Sequence, residues 1–350
     1  MLKLNSVFSD GMIFQRDTEN NVYGTADSGK KISLSLIQDG KEIFKGEGEA
    51  DAQGHFRVAI PSCPGSTEPY EIKISCGNES AEIHDVYSGE LFNISGQSNM
   101  ELPVSRTRYP FSDTVVFKEN PLIREFRVPI VSCFTPGEKS YDFPEGGAWK
   151  SAVGGNIADM SAAGYYFATD IFERLGIPVG LVNTSAGGAA VEGFMPYDMI
   201  RGYGIDDEFL DEATKPGYLE RRTEYDLTAL QNWFDSLGTE DFGLVGSDDM
   251  KECVVPCTTD DIGELNGFSG RLFFFREFTV PESFPLDGAE LIMGTVTDSD
   301  TMYINGVKVG ETTYKYPPRY YPVESGILRK GKNTIAVRIE ITNGIGGFNK

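Results

Sequence analysis

The hydrophobic period of this chain changes twice along its length, and each change restricts what the segment can become. From Met1 to about Tyr87, apolar and polar residues alternate. Lys31-Ile32-Ser33-Leu34-Ser35-Leu36 and Phe56-Arg57-Val58-Ala59-Ile60 each give one apolar face, with turns at Gly40, Gly54 and Pro64-Gly65. This predicts a β-sandwich over 1–87. His55 alternates to the face opposite Phe56, Val58 and Ile60, an exposed strand position.

From about Ser88 to Tyr197 strand and helix patterns alternate. Ala163, Phe167, Ile171 and Leu175 recur at helical spacing after Ser161, and Gly176 with Pro178 ends that helix. Pro178 to Val182 then reads as a buried strand leading into Thr184-Ser185-Ala186-Gly187-Gly188-Ala189-Ala190. With the strand-like run from Glu90 to Ser95, this makes two strand-to-loop units. They predict a doubly wound α/β layer, whose sites form at the carboxyl ends of its strands. Arg201 to about Leu265 is an acidic connector. It carries one amphipathic helix, Leu219 to Leu237, with Leu227, Leu230, Phe234 and Leu237 on its apolar stripe and Gly238 after it. After Gly270 the β pattern returns in Leu272-Phe273-Phe274-Phe275, Leu291-Ile292-Met293, Thr301 to Ile304 and Thr334 to Ile341. Asn305-Gly306 is a strong hairpin signal. The predicted organisation is therefore a sandwich (1–87), an α/β part with its connector (88–265) and a second sandwich (266–350).

Composition agrees with a β-rich globular chain, since 40 glycines and 18 prolines in 350 residues supply many turns. A formal charge of -22 repels phosphate backbones and anionic lipid, which argues against nucleic-acid and membrane partners and favours neutral ones. The first residues lack the apolar run of a signal peptide, so the expected location is cytoplasmic. Cys63, Cys76, Cys133, Cys253 and Cys257 are odd in number and scattered, which predicts buried thiols rather than a disulfide framework. Cys253-x-x-x-Cys257 has no second close pair and is a weak metal signal.

Gly96-Gln97-Ser98-Asn99-Met100 places a small hydroxyl at the end of the Glu90–Ser95 run. Gly96 permits a tight turn there, and the segment from Asn99 would present backbone N–H groups. This is the layout of a hydrolase nucleophile, although Met100 departs from the G-x-S-x-G elbow. A strand-ending turn without chemistry fits the same five residues.

Taken together, the residues resemble the sialate O-acetylesterase-like group of SGNH hydrolases, which are carbohydrate esterases. The resemblance is carried by Val7 to Arg16, by Gly96 to Glu101, and by Ile177 to Ser185 leading to Gly187-Gly188. Tyr303 to Gly310 and Gly331 to Arg338 add to it, and are similar to a jelly-roll insertion inside the hydrolase domain. The resemblance implies that Ser98 is the acyl-accepting nucleophile. It also implies an oxyanion hole built from the N–H of Ser98 and that of Gly187 or Gly188, with no metal or cofactor. The implied partner is an acetylated carbohydrate, and the oligomeric state is left open. Gln97, Asn99, Arg106 and Glu192 are candidate substrate contacts. Arg106 and Arg108 could clamp an anionic sugar or could simply be solvated. Ala186, Ala189 and Leu102 depart from the group's usual Trp, Thr and aromatic residue, which puts its substrate contacts in doubt.

A serine of this type needs a base, which in the group is a histidine in an Asp-x-x-His block preceded by Gln-Gly-Glu. Neither block occurs in this sequence. His84, in Ile83-His84-Asp85-Val86, falls where the group has a structural segment. The expectation is a chain truncated within its hydrolase domain and catalytically deficient alone. Acetylated sialic acid and neutral acetylated saccharides such as xylan both remain as substrates, and so does a non-catalytic glycan-binding role. In that last case Tyr314, Tyr316, Tyr320 and Tyr321 would stack on sugar rings or pack beneath a loop.

Overall fold

Strand alternation becomes sheet structure at the positions where it is cleanest in the sequence. Ile32, Leu34 and Leu36, and likewise Phe56, Val58 and Ile60, are buried on one face of their strands, and their polar neighbours face outward. The computed structural model describes residues 1–107, 117–131, 146–203, 207–238 and 250–349, so Arg108 and Cys133 lie outside the described residues. The chain divides into two units, Met1–Leu219 and Glu220–Lys350.

The first unit contains β1 (Lys3–Leu4), β2 (Ile13–Gln15), β3 (Asn20–Thr25), β4 (Lys31–Gln38), β5 (Lys41–Glu49), β6 (His55–Ile60), β7 (Ser66–Cys76), β8 (Glu79–Ile94), β9 (Asn120–Arg127), β10 (Trp149–Ala152) and β11 (Val179–Asn183). A small sheet has the order β1-β3-β6, and a large mixed sheet the order β10-β9-β11-β8-β7-β4-β5, with β2 also paired to β8. Strand β8 belongs to both patterns read in the sequence. Its first half is antiparallel to β7, and its second half runs parallel to β2 and β11. Asp85, at a left-handed φ of 58°, marks an irregularity within it. Arg124 secures that point from β9: its buried guanidinium donates to the carbonyls of Gly11 and Asp85 and pairs with the Asp85 carboxylate at 2.8 Å.

Helices are few. Those of the first unit are α1 (Ser98–Glu101), α2 (Asn156–Asp159), α3 (Ala162–Leu175), α4 (Tyr197–Gly202) and α5 (Asp207–Ala213). The predicted caps of α3 are present, since Ser161 accepts from Gly164 N–H and Gly176 closes the helix in a left-handed conformation. Its buried face differs from the predicted one. Ala163, Phe167 and Leu175 are exposed, whereas Ala162, Gly164, Tyr165 and Ala168 are buried. The reason is close approach: a Cβ at Gly164 would come within 2.8 Å of Ile94 and 3.0 Å of Leu181, so the helix lies on the sheet through its smallest residues. This face of the parallel strands, with Ile94, Ile123, Val179 and Leu181, forms one core. Among the described residues no helix covers the opposite face; Leu91, Phe126 and Val182 pack there with Val7, Phe8 and Met12.

The Val7–Arg16 segment is bound to β8 by the β2 backbone pairing and by polar side chains. Gln15 accepts from Leu91 N–H at 2.9 Å and donates to Glu90, while Arg16 donates to Glu90 at 2.8 Å. The Gln15 amide, and then Arg16, hold the Glu90 carboxyl below its ordinary value of 4.5. A carboxylate with a depressed folded pKa stabilises the fold above its unfolded pKa, and that contribution is lost as the pH falls through the folded value. Glu90→Gln is therefore expected to cost about 1 kcal/mol at pH 7 and almost nothing at pH 2, read from urea midpoints at the two pH values.

The second unit begins within α6 (Tyr218–Ser236), whose predicted apolar stripe is solvent-facing: Leu227 is 62% exposed and Leu230 45%. It continues as a sandwich of β12 (Gly270–Val280), β13 (Glu290–Thr297), β14 (Ser299–Ile304), β15 (Val307–Thr312), β16 (Pro318–Pro322), β17 (Gly331–Ile341) and β18 (Gly347–Phe348). Its sheets have the orders β12-β17-β14-β15 and β16-β13-β18. Asn305-Gly306 forms the β14–β15 hairpin with both residues at positive φ, as that turn requires. Between the sheets lie Val296, Met302, Tyr321, Val337, Ile339, Ile341 and Phe348. Tyr321 is thus core, bonded to Asp300 at 2.8 Å, whereas Tyr314 and Tyr316 are exposed and pack edge to face. Cys63, Cys76 and Cys257 are buried thiols and Cys253 is exposed, which corrects the expectation for that residue. Among the described residues, no helix is long and apolar enough to cross a membrane, and no three His, Cys, Asp or Glu side chains form a metal-binding group.

Candidate active site

Parallel pairing of β8 and β11 sets Ile94 beside Asn183, so the loops that follow leave the sheet at the same, carboxyl ends of the two strands. Two backbone bonds then keep them together, from Thr184 N–H to Ile94 O and from Ala186 N–H to Gly96 O, both 2.9 Å. Gly96 turns the chain with a φ of 143°, which favours glycine, and Ser98 opens α1. The N–H groups of Met100 and Glu101 are not presented outward as predicted. Both donate to Gln97 O within the turn.

Ser98 is exposed, and among the described residues its hydroxyl forms no hydrogen bond. The glycine loop reaches it directly. A Cβ placed on Gly187 would lie 3.6 Å from Ser98 Oγ and against the Glu101 carboxylate. Gly187 N–H donates to Glu101 Oε2 at 2.6 Å, so the amide already holds an anionic oxygen beside the serine. Gly188 follows at a φ of 78°, and among the described residues its N–H has no acceptor. Gln97 donates to Ala189 O and ties the serine turn to the far side of the loop. The structure thus brings Gln97, Ser98 and Gly187 together. Asn99 and Arg106 are exposed, Glu192 is half-buried in a short turn (Val191–Phe194), and among the described residues none of the three bonds to Ser98.

Among the described residues, neither histidine bonds to the serine. The ring of His84 lies 3.7 Å from Glu82 while its backbone N–H donates to Asp10, and from His84 to Ile94 the strand runs about 30 Å at about 3.3 Å per residue. His55 sits on β6, 3.8 Å from Asp51.

A buried polar cluster beneath the two loops was not anticipated from the sequence. Glu125 of β9, 5% exposed, accepts from Ser161 N–H at 2.9 Å and from the Asn183 amide at 3.1 Å, with Arg127 at 3.5 Å. Ser161 Oγ donates to Met100 O at 2.6 Å, and Asn183 Oδ1 accepts from Ser185 N–H at 3.0 Å. One carboxylate therefore reaches the serine turn through Ser161 and the glycine loop through Asn183. The signal that could have found it is a charged residue in register with Ile123 on the core face of a strand. Glu125→Ala leaves Ser161 N–H and the Asn183 amide unsatisfied in a buried place. It is expected to destabilise the protein by about 2–3 kcal/mol, measured as a shift in urea midpoint.

No family model matches the chain. In sequence it is 24% identical to the sialate O-acetylesterase of Mus musculus over 232 residues, which are 63% of this chain and 42% of that protein. It is also 24% identical to the sialate O-acetylesterase of Homo sapiens over 213 residues, 57% of this chain and 40% of that protein. Among solved structures, a carbohydrate acetylesterase from Xanthomonas citri matches with a TM-score of 0.50 and 28% identity, over 59% of this chain and 44% of that one. The chain spans 40% to 42% of the length of these curated relatives.

Proposed function

Because this chain is of the sialate O-acetylesterase-like family, we propose that it is a serine esterase that removes O-acetyl groups from carbohydrates, with an SGNH-like hydrolase layer in its first unit. The observation that carries this reading is the meeting of Ser98 with an amide that already binds an anionic oxygen, that of Gly187. As Ser98 Oγ attacks the acetyl carbonyl carbon, a base takes the hydroxyl proton, which is later returned to the departing sugar oxygen, and the carbonyl oxygen becomes an oxyanion. The oxyanion takes the N–H of Ser98, which has no acceptor among the described residues, and that of Gly187 once Glu101 withdraws. Collapse breaks the bond to the sugar oxygen, which leaves with a proton; water then cleaves the acyl-enzyme to acetate and free Ser98. Fixed amides aimed at such an oxygen contribute about 3–4 kcal/mol each in comparable sites.

Activation of the hydroxyl needs a base, and among the described residues neither histidine bonds to Ser98; each ring lies beside a carboxylate of its own, His55 by Asp51 and His84 by Glu82. On this reading the 350 residues alone hydrolyse acetyl esters poorly. The test is acetate release by the whole protein from acetylated xylan and from an O-acetylated sialic acid, together with fluorophosphonate labelling mapped by mass spectrometry. Labelling at Ser98 with acetate release supports the esterase. Sugar binding with neither would replace it by a glycan-binding protein.

A further inference from the structure

We propose that Glu125 is a positioning residue of the Ser98 site, its one carboxylate fixing the spacing between the serine turn and the glycine loop that an oxyanion must bridge. The proposal rests on the esterase reading and names what holds that site in register. Each carboxylate oxygen serves one side. Oε2 accepts from Ser161 N–H at 2.9 Å; Ser161 Oγ donates to Met100 O and Ala162 N–H to Leu102 O, so these two residues grip α1 just beyond Ser98. Oε1 accepts from the Asn183 amide at 3.1 Å. Asn183 Oδ1 accepts in turn from the N–H of Ser185 at 3.0 Å and from its hydroxyl at 2.5 Å, at the start of the loop that carries Gly187. Glu125, Ser161, Asn183 and Ser185 are all buried, where such bonds are strong and a missing one is costly.

An ionised carboxylate suits this place because both groups that face it are donors, whereas glutamine of the same length offers one acceptor and one NH2. Ser161 N–H belongs to the backbone and cannot reverse its polarity, so it keeps the acceptor, and the NH2 is left facing the NH2 of Asn183. Asn183 relieves that contact by turning its amide over, which aims its own NH2 at Ser185 N–H. A change confined to Glu125 thus passes through Asn183 and frees the glycine loop, while the Ser161 side stays closed. Misplacing a site by about 1 Å can cost about a hundredfold in rate. The loss falls on kcat, since oxyanion donors act on the transition state more than on the bound ester.

The decisive experiment measures acetate release by the whole protein well below the melting temperature of each variant, so that the molecules counted are folded. Glu125→Gln is expected to lower kcat about a hundredfold with KM within about twofold of wild type. Exchanging the two groups, Glu125→Gln together with Asn183→Asp, rebuilds the pattern, because the new amide donates to a carboxylate that still accepts from Ser185. That pair should recover kcat to within about fivefold of wild type. A role in stability alone would lower the melting temperature and leave kcat unchanged. Asn183→Ala cuts the same link one step nearer the loop and leaves Glu125 on Ser161 N–H; it carries the test if Glu125→Gln does not fold, with the same loss of about a hundredfold expected. A folded single variant with kcat within about threefold of wild type, or an exchanged pair no faster than Glu125→Gln, would overturn the proposal while leaving the esterase intact. Acetate release that is absent from the wild type, or undiminished in Ser98→Ala, would instead remove the esterase reading itself.

Discussion

Ser98→Ala is expected to lower acetate release by the whole protein on the order of a millionfold, the loss typical when the nucleophile of a serine hydrolase is removed. The same change should leave the fold alone. Ser98 is exposed and its hydroxyl forms no bond among the described residues, so its replacement gives up no buried contact. Surface substitutions of this kind stay within about 0.5 kcal/mol. Acetate release and thermal unfolding measured on one preparation therefore separate chemistry from stability. A variant with unchanged melting and residual activity above about one part in a thousand would assign the nucleophile elsewhere.

Arg319→Leu is expected to destabilise the second unit by about 3–5 kcal/mol, because it strips one partner from a buried ion pair. Arg319 is fully buried. Its guanidinium donates to Asp300 at 2.5 Å, to Val296 O at 2.7 Å and to Asp298 O at 3.3 Å. Burial already pushes the Asp300 carboxyl above its ordinary value, against the opposing pull of Arg319 and then of the Tyr321 hydroxyl. Without the guanidinium it should rise further. A carboxyl whose folded pKa is raised favours the fold below its unfolded value and withdraws that support as the pH climbs through the folded one. The deficit of Arg319→Leu should accordingly be larger at pH 8 than at pH 4, seen in urea midpoints. Replacing Asp300 by Leu as well should recover much of the loss, since an apolar pair of similar volume leaves no lone charge behind.

What could be read from the sequence was local. Alternation gave the faces of β4 and β6, Asn305-Gly306 gave a hairpin, and Ser161 with Gly176 gave the ends of α3. The buried face of α3 was missed because counting large apolar residues selects Phe167 and Leu175, whereas contact with the sheet selects Gly164 and Ala168. The amphipathic helix expected in the connector is present as α6, and Leu227 and Leu230 of its apolar stripe meet solvent. At the site, Ser98 and the glycine pair were visible as motifs. Glu125, Ser161 and Asn183 were not, since each bonds to residues distant in sequence and pattern says nothing of such partners. Glu101 was read only as part of the serine block; its bond to Gly187 required the two loops to be seen side by side.

The strand order β9-β11-β8 has a consequence for the nascent chain. β11 lies between strands that are both synthesised before it. Until Val179–Asn183 leaves the ribosome, the inner edges of β8 and β9 have no partner, and those edges carry Phe92, Ile94, Ile123 and Phe126. An unpaired apolar edge recruits strands from other chains. The last central strand to be made therefore both completes the sheet that holds Ser98 and covers the two edges that stood open until then.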